Sequence, residues 1–146
     1  MQIHEELSPA HKSALMEKMN ATAKFWSLLG MELVDVKKGW AKVRLPFVEK
    51  LTHPLGIAHG GAIFSPADSA VAMALAGLVE QDEIYTTIEM KINYLKPFSK
   101  GEITAEATII HKGKNIAIGD VEVTNDRGRM IAKGIATYMI MKNRDK

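Results

Sequence analysis

From Ala58 to Val79 the chain is almost wholly small or apolar, and it carries one carboxylate, Asp68, near the middle. The run opens on His59-Gly60-Gly61, and Ile63, Ala67, Ala70, Ala74 and Leu78 then recur at spacings of three and four, the core stripe of a helix. Ala62, Ala72, Ala76 and Gly77 keep its other sides thin. A helix this apolar on most sides has to be wrapped, so the rest of the chain must supply a cover. Asp68 needs its own explanation, because an ionised group in an apolar helix is costly unless something pairs or uses it. Pro66 also falls inside the run; a helix begun at Gly61 loses a backbone bond there, at about 3 kcal/mol, so an irregular first turn is expected.

The cover reads as strands. Ser8-Pro9 is an N-cap followed by proline at the first helical position and starts a polar helix to about Asn20. A second short helix carries Phe25, Trp26, Leu28 and Leu29 and stops at Gly30. The period then changes to two: Leu33–Val36 is a strand, Lys37–Gly39 a turn, and Ala41, Val43, Leu45 and Phe47 form the apolar side of the next strand. After the helix, Ile88, Met90, Ile92 and Tyr94 alternate with Thr87, Glu89, Lys91 and Asn93, which places Thr87 on the polar side. Ile103 to Ile109 follows, then a hairpin at 111–115. Ile116 and Ile118 have one parity and Val121 and Val123 the other, so a bulge is expected at Gly119-Asp120. The last strand, 129–141, is apolar on both faces, which suits a central strand or one covered by a second subunit. The class is α+β.

At 146 residues the chain makes one domain. A net charge of +2, evenly spread, argues against a nucleic-acid partner. The absence of Cys excludes thiolate ligands, disulfides and a Cys nucleophile. Acids stand at Glu5 and Glu6 where a secretory signal would be basic, and no run reaches the roughly 18 apolar residues of a membrane span. A cytoplasmic protein without a membrane partner is the expectation.

Chemistry concentrates around the apolar helix. Two glycines at a helix start leave N–H groups open to a close ligand, with the positive end of the helix dipole behind them. Donors of that kind and an isolated carboxylate are what hydrolysis of an activated carbonyl requires. Plainer readings exist: Gly60-Gly61 as a tight turn, Asp68 as a structural ion, Thr87 as an outward strand residue, Lys112 and Lys114 as a solvated hairpin. His53 and His59 find no third ligand at a fitting spacing, so no metal is expected.

His59-Gly60-Gly61 with Asp68 nine positions after the histidine, the strand end Asn93-Tyr94-Leu95-Lys96-Pro97, Gly101, His111-Lys112-Gly113-Lys114 and Ala132-Lys133-Gly134 together resemble the hotdog-fold acyl-CoA thioesterases of the phenylacetic-acid-degradation type. The resemblance implies a curved antiparallel sheet around one long helix, in a domain of residues 25–146; residues 1–24 lie outside the resemblance and read as a helical extension. It implies homodimers that join their sheets, with dimers of dimers common, and an acyl-CoA substrate whose coenzyme A is the only cofactor-like group. The amides of Gly60 and Gly61 would bind the thioester oxygen, Asp68 would be general base or nucleophile, and Thr87 would complete the site. His53 stands where the family commonly has a water-positioning Asn, and Pro66 is a second departure. His59 would hold the loop, while Lys112, Gly113 and Lys114 would meet the nucleotide phosphates. Gly61 and Asp68 lie seven residues apart, roughly 10 Å along a helix. One chain therefore cannot bring both to one carbonyl: either the acid comes from a second subunit or this mechanism does not apply. The alternative is a non-catalytic acyl-CoA-binding or ligand-sensing module on the same fold; a purely structural oligomerisation domain would leave Asp68 unexplained. A serine hydrolase lacks its Gly-x-Ser-x-Gly, and a dinucleotide fold its glycine fingerprint.

Overall fold

A computed structural model describes residues 3–145. The apolar run is helix α3 (Gly60–Ala76). Six strands form one antiparallel sheet: β1 (Glu32–Lys37), β2 (Trp40–Pro46), β3 (Glu83–Tyr94), β4 (Glu102–Lys112), β5 (Ile116–Asn125) and β6 (Met130–Lys142). Their lateral order is β1-β2-β4-β5-β6-β3. The helix meets all six strands and rests chiefly on β2, β4 and β5. Six strands spaced about 4.8 Å apart exceed the width of one helix, so contact with all of them requires the sheet to curl around it. This is the hotdog arrangement, and it satisfies the need of α3 for cover: Ala67, Ala70, Val71, Ala74 and Leu75 are wholly buried against Leu33, Val43, Leu45, Ile103 and Val121. Gly119 shows how close the packing is, because a Cβ there would stand 2.4 Å from Val71 Cγ1.

Helix α1 (Pro9–Glu17) is capped by Ser8, whose hydroxyl accepts from the His11 amide at 3.2 Å. It was expected to continue to about Asn20, but the chain widens into a π turn over Lys18–Thr22. There the Asn20 amide group takes the Leu33 N–H at 2.7 Å and donates to the Leu33 carbonyl at 3.1 Å, occupying part of the free edge of β1 as a strand would. The extension is tied down elsewhere by buried Leu7, by Lys12–Asp35 at 2.7 Å and by the Lys38 amide on the Glu5 carbonyl. Helix α2 (Lys24–Leu29) ends at Gly30 in the left-handed conformation, φ 87°.

Three local expectations change. Helix α3 runs unbroken through Pro66, which is fully buried; no irregular turn sets in there, although a 3₁₀-type bond from the Ala62 amide to the His59 carbonyl tightens the start. Strand β5 alternates without a break, and the extra residue is Ile110 across the ladder in β4, because Ile109 pairs with Gly119 and His111 with Ile118. The parity argument had assumed that both apolar sets are buried, whereas Ile116 and Ile118 lie on the outer face with the exposed Ile135, Met139 and Met141 of β6. In β3 the register to β6 steps from Thr87–Tyr138 to Glu89–Thr137, leaving Ile88 as a bulge that is 51% exposed. The bulge turns Thr87 to the inner face, with Tyr85, Met90 and Ile92. Simple alternation had put it outside.

Candidate active site

Two groups of residues meet on α3. At its start, His59 is the N-cap and its Nδ1 accepts the Gly61 N–H at 2.8 Å. The Gly60 N–H has no partner among the described residues. Tyr94, at the end of β3, donates its hydroxyl to the Gly60 carbonyl at 2.9 Å and crowds the backbone, so that a Cβ on Gly60 would lie 3.1 Å from Tyr94 Cζ. Of the two glycine amides, only that of Gly60 therefore points at an unfilled position, with the helix dipole behind it. A cavity of about 470 Å³ opens beside it, lined by His53, Ile57, Gly60, Ile63, Tyr94 and Pro97. A second of about 360 Å³ on the other flank is lined by Phe25, Leu29, His59, Gly61 and Ser65. His53 Nδ1 accepts the Leu55 amide at 3.1 Å, which fixes the ring; in the neutral form the proton then sits on Nε2.

Two turns further along α3, Asp68 turns toward the sheet. Thr87 Oγ1 donates to Asp68 Oδ1 at 3.0 Å. The Tyr138 hydroxyl, from β6, reaches the same Oδ1 at 2.5 Å and the Asp68 carbonyl at 2.9 Å. No hydrogen bond reaches Oδ2 among the described residues, and the side chain is only half-buried. Neutral hydroxyl donors can hold an ionised carboxylate without cancelling its charge. It is thus a held carboxylate with one oxygen unused.

Tyr138 escaped the sequence reading, which saw it only as one residue of an apolar face of the last strand. A usable signal was present: a buried tyrosine needs a partner for its hydroxyl, and Tyr138 is the one polar tip on the inner face of β6. Tyr85 packs against it at 6.2 Å between ring centroids. Burial, then the Asp68 charge and hydrogen bond, push the Tyr138 phenol well above the usual tyrosine range; burial alone pushes Tyr85 up to about 12 and raises Tyr94 less. Because folding raises these values, the stabilisation is complete below pH ~10 and is lost as pH rises toward 12, when the unfolded chain sheds phenolic protons first. In an alkaline absorbance titration Tyr85 and Tyr138, two of the chain's three tyrosines, should show little phenolate at pH ~10, and their ionisation should coincide with unfolding above it. Half-ionisation of all three tyrosines in folded protein at pH ~10, as for free tyrosine, would mean that Tyr85 and Tyr138 are open to water.

The structure joins Asp68 to Thr87 and puts Gly60 on the cavity that His53 lines, while His59 and Gly61 line the second cavity on the other flank. It does not join these two groups within one chain: along continuous α3, Gly61 and Asp68 remain roughly 10 Å apart. Nor does it bring Lys112, Gly113 and Lys114 to the Gly60 group. Their hairpin is tied through Asn115 to Ile140, at the Tyr85 end of β3, whereas Gly60 is bonded to Tyr94, about 30 Å away along an extended strand.

A family model described as the thioesterase superfamily matches residues 55–132, a stretch that runs from the loop before α3 into β6. The chain belongs to the thioesterase superfamily. Among similar members, the 1,4-dihydroxy-2-naphthoyl-CoA hydrolase of Listeria monocytogenes is 33% identical over 116 residues, covering 80% of this chain and 94% of the relative. The medium/long-chain acyl-CoA thioesterase YigI of Escherichia coli is 28% identical, covering 77% and 82%. The fold matches the solved PaaI protein from the phenylacetic acid degradation operon of E. coli with a TM-score of 0.81 at 24% identity, over 92% of this chain and 96% of that one. This superfamily member is thus hotdog-folded and similar to PaaI. No helix among its described residues is long and apolar enough to cross a membrane.

Proposed function

We propose that this superfamily member hydrolyses acyl-CoA thioesters at a site shared by two copies of the chain. The observation that carries the proposal is Asp68: a half-buried carboxylate, held at Oδ1 and open at Oδ2, in an otherwise apolar helix. The Gly60 N–H and the dipole of α3 stabilise the developing oxyanion, and the Gly61 N–H joins them once the His59 ring swings away from it. Asp68 of the partner subunit acts from the other side, taking a proton from the attacking water or attacking the carbonyl carbon itself. On the first route the water oxygen bonds to the carbonyl carbon, the C–S bond breaks, and the proton held by Asp68 passes to the CoA thiolate. On the second, an acyl-Asp68 anhydride forms as the thiolate leaves, and water then hydrolyses it. His53, with Nε2 bearing the proton, is placed to bond the water or the substrate oxygen.

The shared site requires a dimer. Strand β3 has β6 on one side and no strand on the other among the described residues, and a long unpaired edge favours pairing with a second copy. A two-fold axis beside β3 runs the two edges antiparallel, so the Tyr85 end of one chain comes beside the Tyr94 end of the other. The partner's Lys112–Lys114 hairpin is thereby carried toward the Gly60 cavity, where its cations would face the CoA phosphates. The exposed Ile135, Met139 and Met141 face on β6 is the surface on which two such dimers would meet. Coenzyme A enters as part of the substrate. The working compartment is cytoplasmic, where acyl-CoA is met.

The relatives' names span an aromatic acyl group and medium to long alkyl chains. The test is a thiol-release assay with the purified protein across aromatic, short, medium and long acyl-CoAs. Turnover of at least one class is expected. Binding without turnover of any would instead favour an acyl-CoA-sensing module on the same fold.

A further inference from the structure

We propose that Tyr138 is the positioning residue of this site: with Thr87 it clamps Asp68 by Oδ1 and leaves Oδ2 as the one oxygen that reacts. The inference rests on Asp68 being the catalytic acid of the reading above. It adds which atom of Asp68 works and which residue makes it so.

An aspartate on a helix has two equivalent oxygens and a rotatable side chain, so an unheld carboxylate presents either oxygen over a range of angles. Here two hydroxyls from different strands converge on one of them. Thr87 comes from β3 and Tyr138 from β6, and the two face each other across the ladder. The Tyr138 hydroxyl also lies 2.9 Å from the Asp68 main-chain carbonyl, so side chain and backbone are referenced to the same atom. Tyr138 itself cannot drift, being 2% exposed and packed against Tyr85. On the inner face of β6 its neighbours two residues away are Ala136 and Ile140, so no other side chain of that strand near Asp68 can donate. The bulge at Ile88 completes the arrangement, since without it Thr87 would face outward.

The Tyr138 hydroxyl is spent on Asp68 and does not touch substrate, so its loss should act through orientation. A displacement of about 1 Å at a reacting group costs up to ~10²-fold in rate. Tyr138→Phe keeps the ring and its packing and removes only the donor. We expect kcat to fall about 10- to 100-fold with KM within about twofold, and the urea unfolding midpoint to change little. Thr87→Val should lower kcat in the same way, while Thr87→Ser, which keeps a hydroxyl, should retain it to within about threefold. Asp68→Asn is assayed alongside. If Asp68→Asn is inactive but Tyr138→Phe turns over like the wild type, the clamp is wrong and the acid assignment stands. If Tyr138→Phe raises KM and lowers the unfolding midpoint together without lowering kcat, the tyrosine is only structural, which also overturns the proposal. Full activity in Asp68→Asn removes both the clamp and the reading beneath it.

Discussion

Asp68→Asn is expected to lower kcat for thioester hydrolysis by about 10²–10⁴-fold, the range set by removal of a positioned general base; a nucleophilic role would place it at or beyond the upper end. The substitution is nearly isosteric. Its amide oxygen still accepts from Thr87 and Tyr138, so α3 remains docked on β3 and β6 and the loss is chemical, not structural. What disappears is the negative charge and the basic lone pair at Oδ2. Binding of acyl-CoA, proposed for the cavities beside Gly60 and Gly61, should persist and can be followed by calorimetry with a non-hydrolysable thioether analogue. Thiol release within tenfold of the wild type would show that Asp68 is neither base nor nucleophile. A single turnover in ¹⁸O-water tests the second route: water that attacks the Asp68 side of an acyl-Asp68 anhydride leaves label in the Asp68 carboxylate, which direct water attack on the thioester never does.

The second large effect concerns mixed assemblies. Gly60→Val, whose side chain would collide with Tyr94 and displace the open amide, is expected to be almost inactive alone, as is Asp68→Asn. Co-expressed, they should recover activity. In a shared site, one of the two sites of a mixed dimer draws Gly60 from the Asp68→Asn chain and Asp68 from the Gly60→Val chain, and both are intact. Random pairing makes half the dimers mixed, with one working site each, so about one quarter of wild-type activity is expected. If each site lay within one chain, every site in the mixture would carry a defect and no activity would return. Absence of recovery in a mixture shown by differential tags to contain mixed dimers would sink the two-chain site.

Much of this protein was legible along the chain because its strongest signals are local. The spacing from Ile63 to Ala74 defines a helix whatever surrounds it, and its apolarity on most sides demands a wrapping sheet. The stop at Gly30, the alternation of Ala41, Val43 and Leu45 and the hairpin at Gly113 are likewise properties of a few neighbouring residues. The chemical oddity of Asp68, and the geometric rule that keeps it from Gly61 of its own chain, also follow from the order of residues alone.

What only the tertiary structure decided is how that acid is held and what packs over the helix start. One extra residue at Ile88 reverses the side of the sheet that Thr87 faces, and its cost or gain depends on pairing with β6, fifty positions away in the chain. Tyr138 meets Asp68 across a separation of 70 residues, so no periodicity could link them. Tyr94 reaches the Gly60 carbonyl from 34 residues away and crowds the first turn of α3, again beyond any local pattern. Periodicity specifies which face a residue takes within a regular element; bulges, hydroxyl partners and the pairing of single backbone groups are set by contacts between elements, and those exist only once the sheet has closed around the helix.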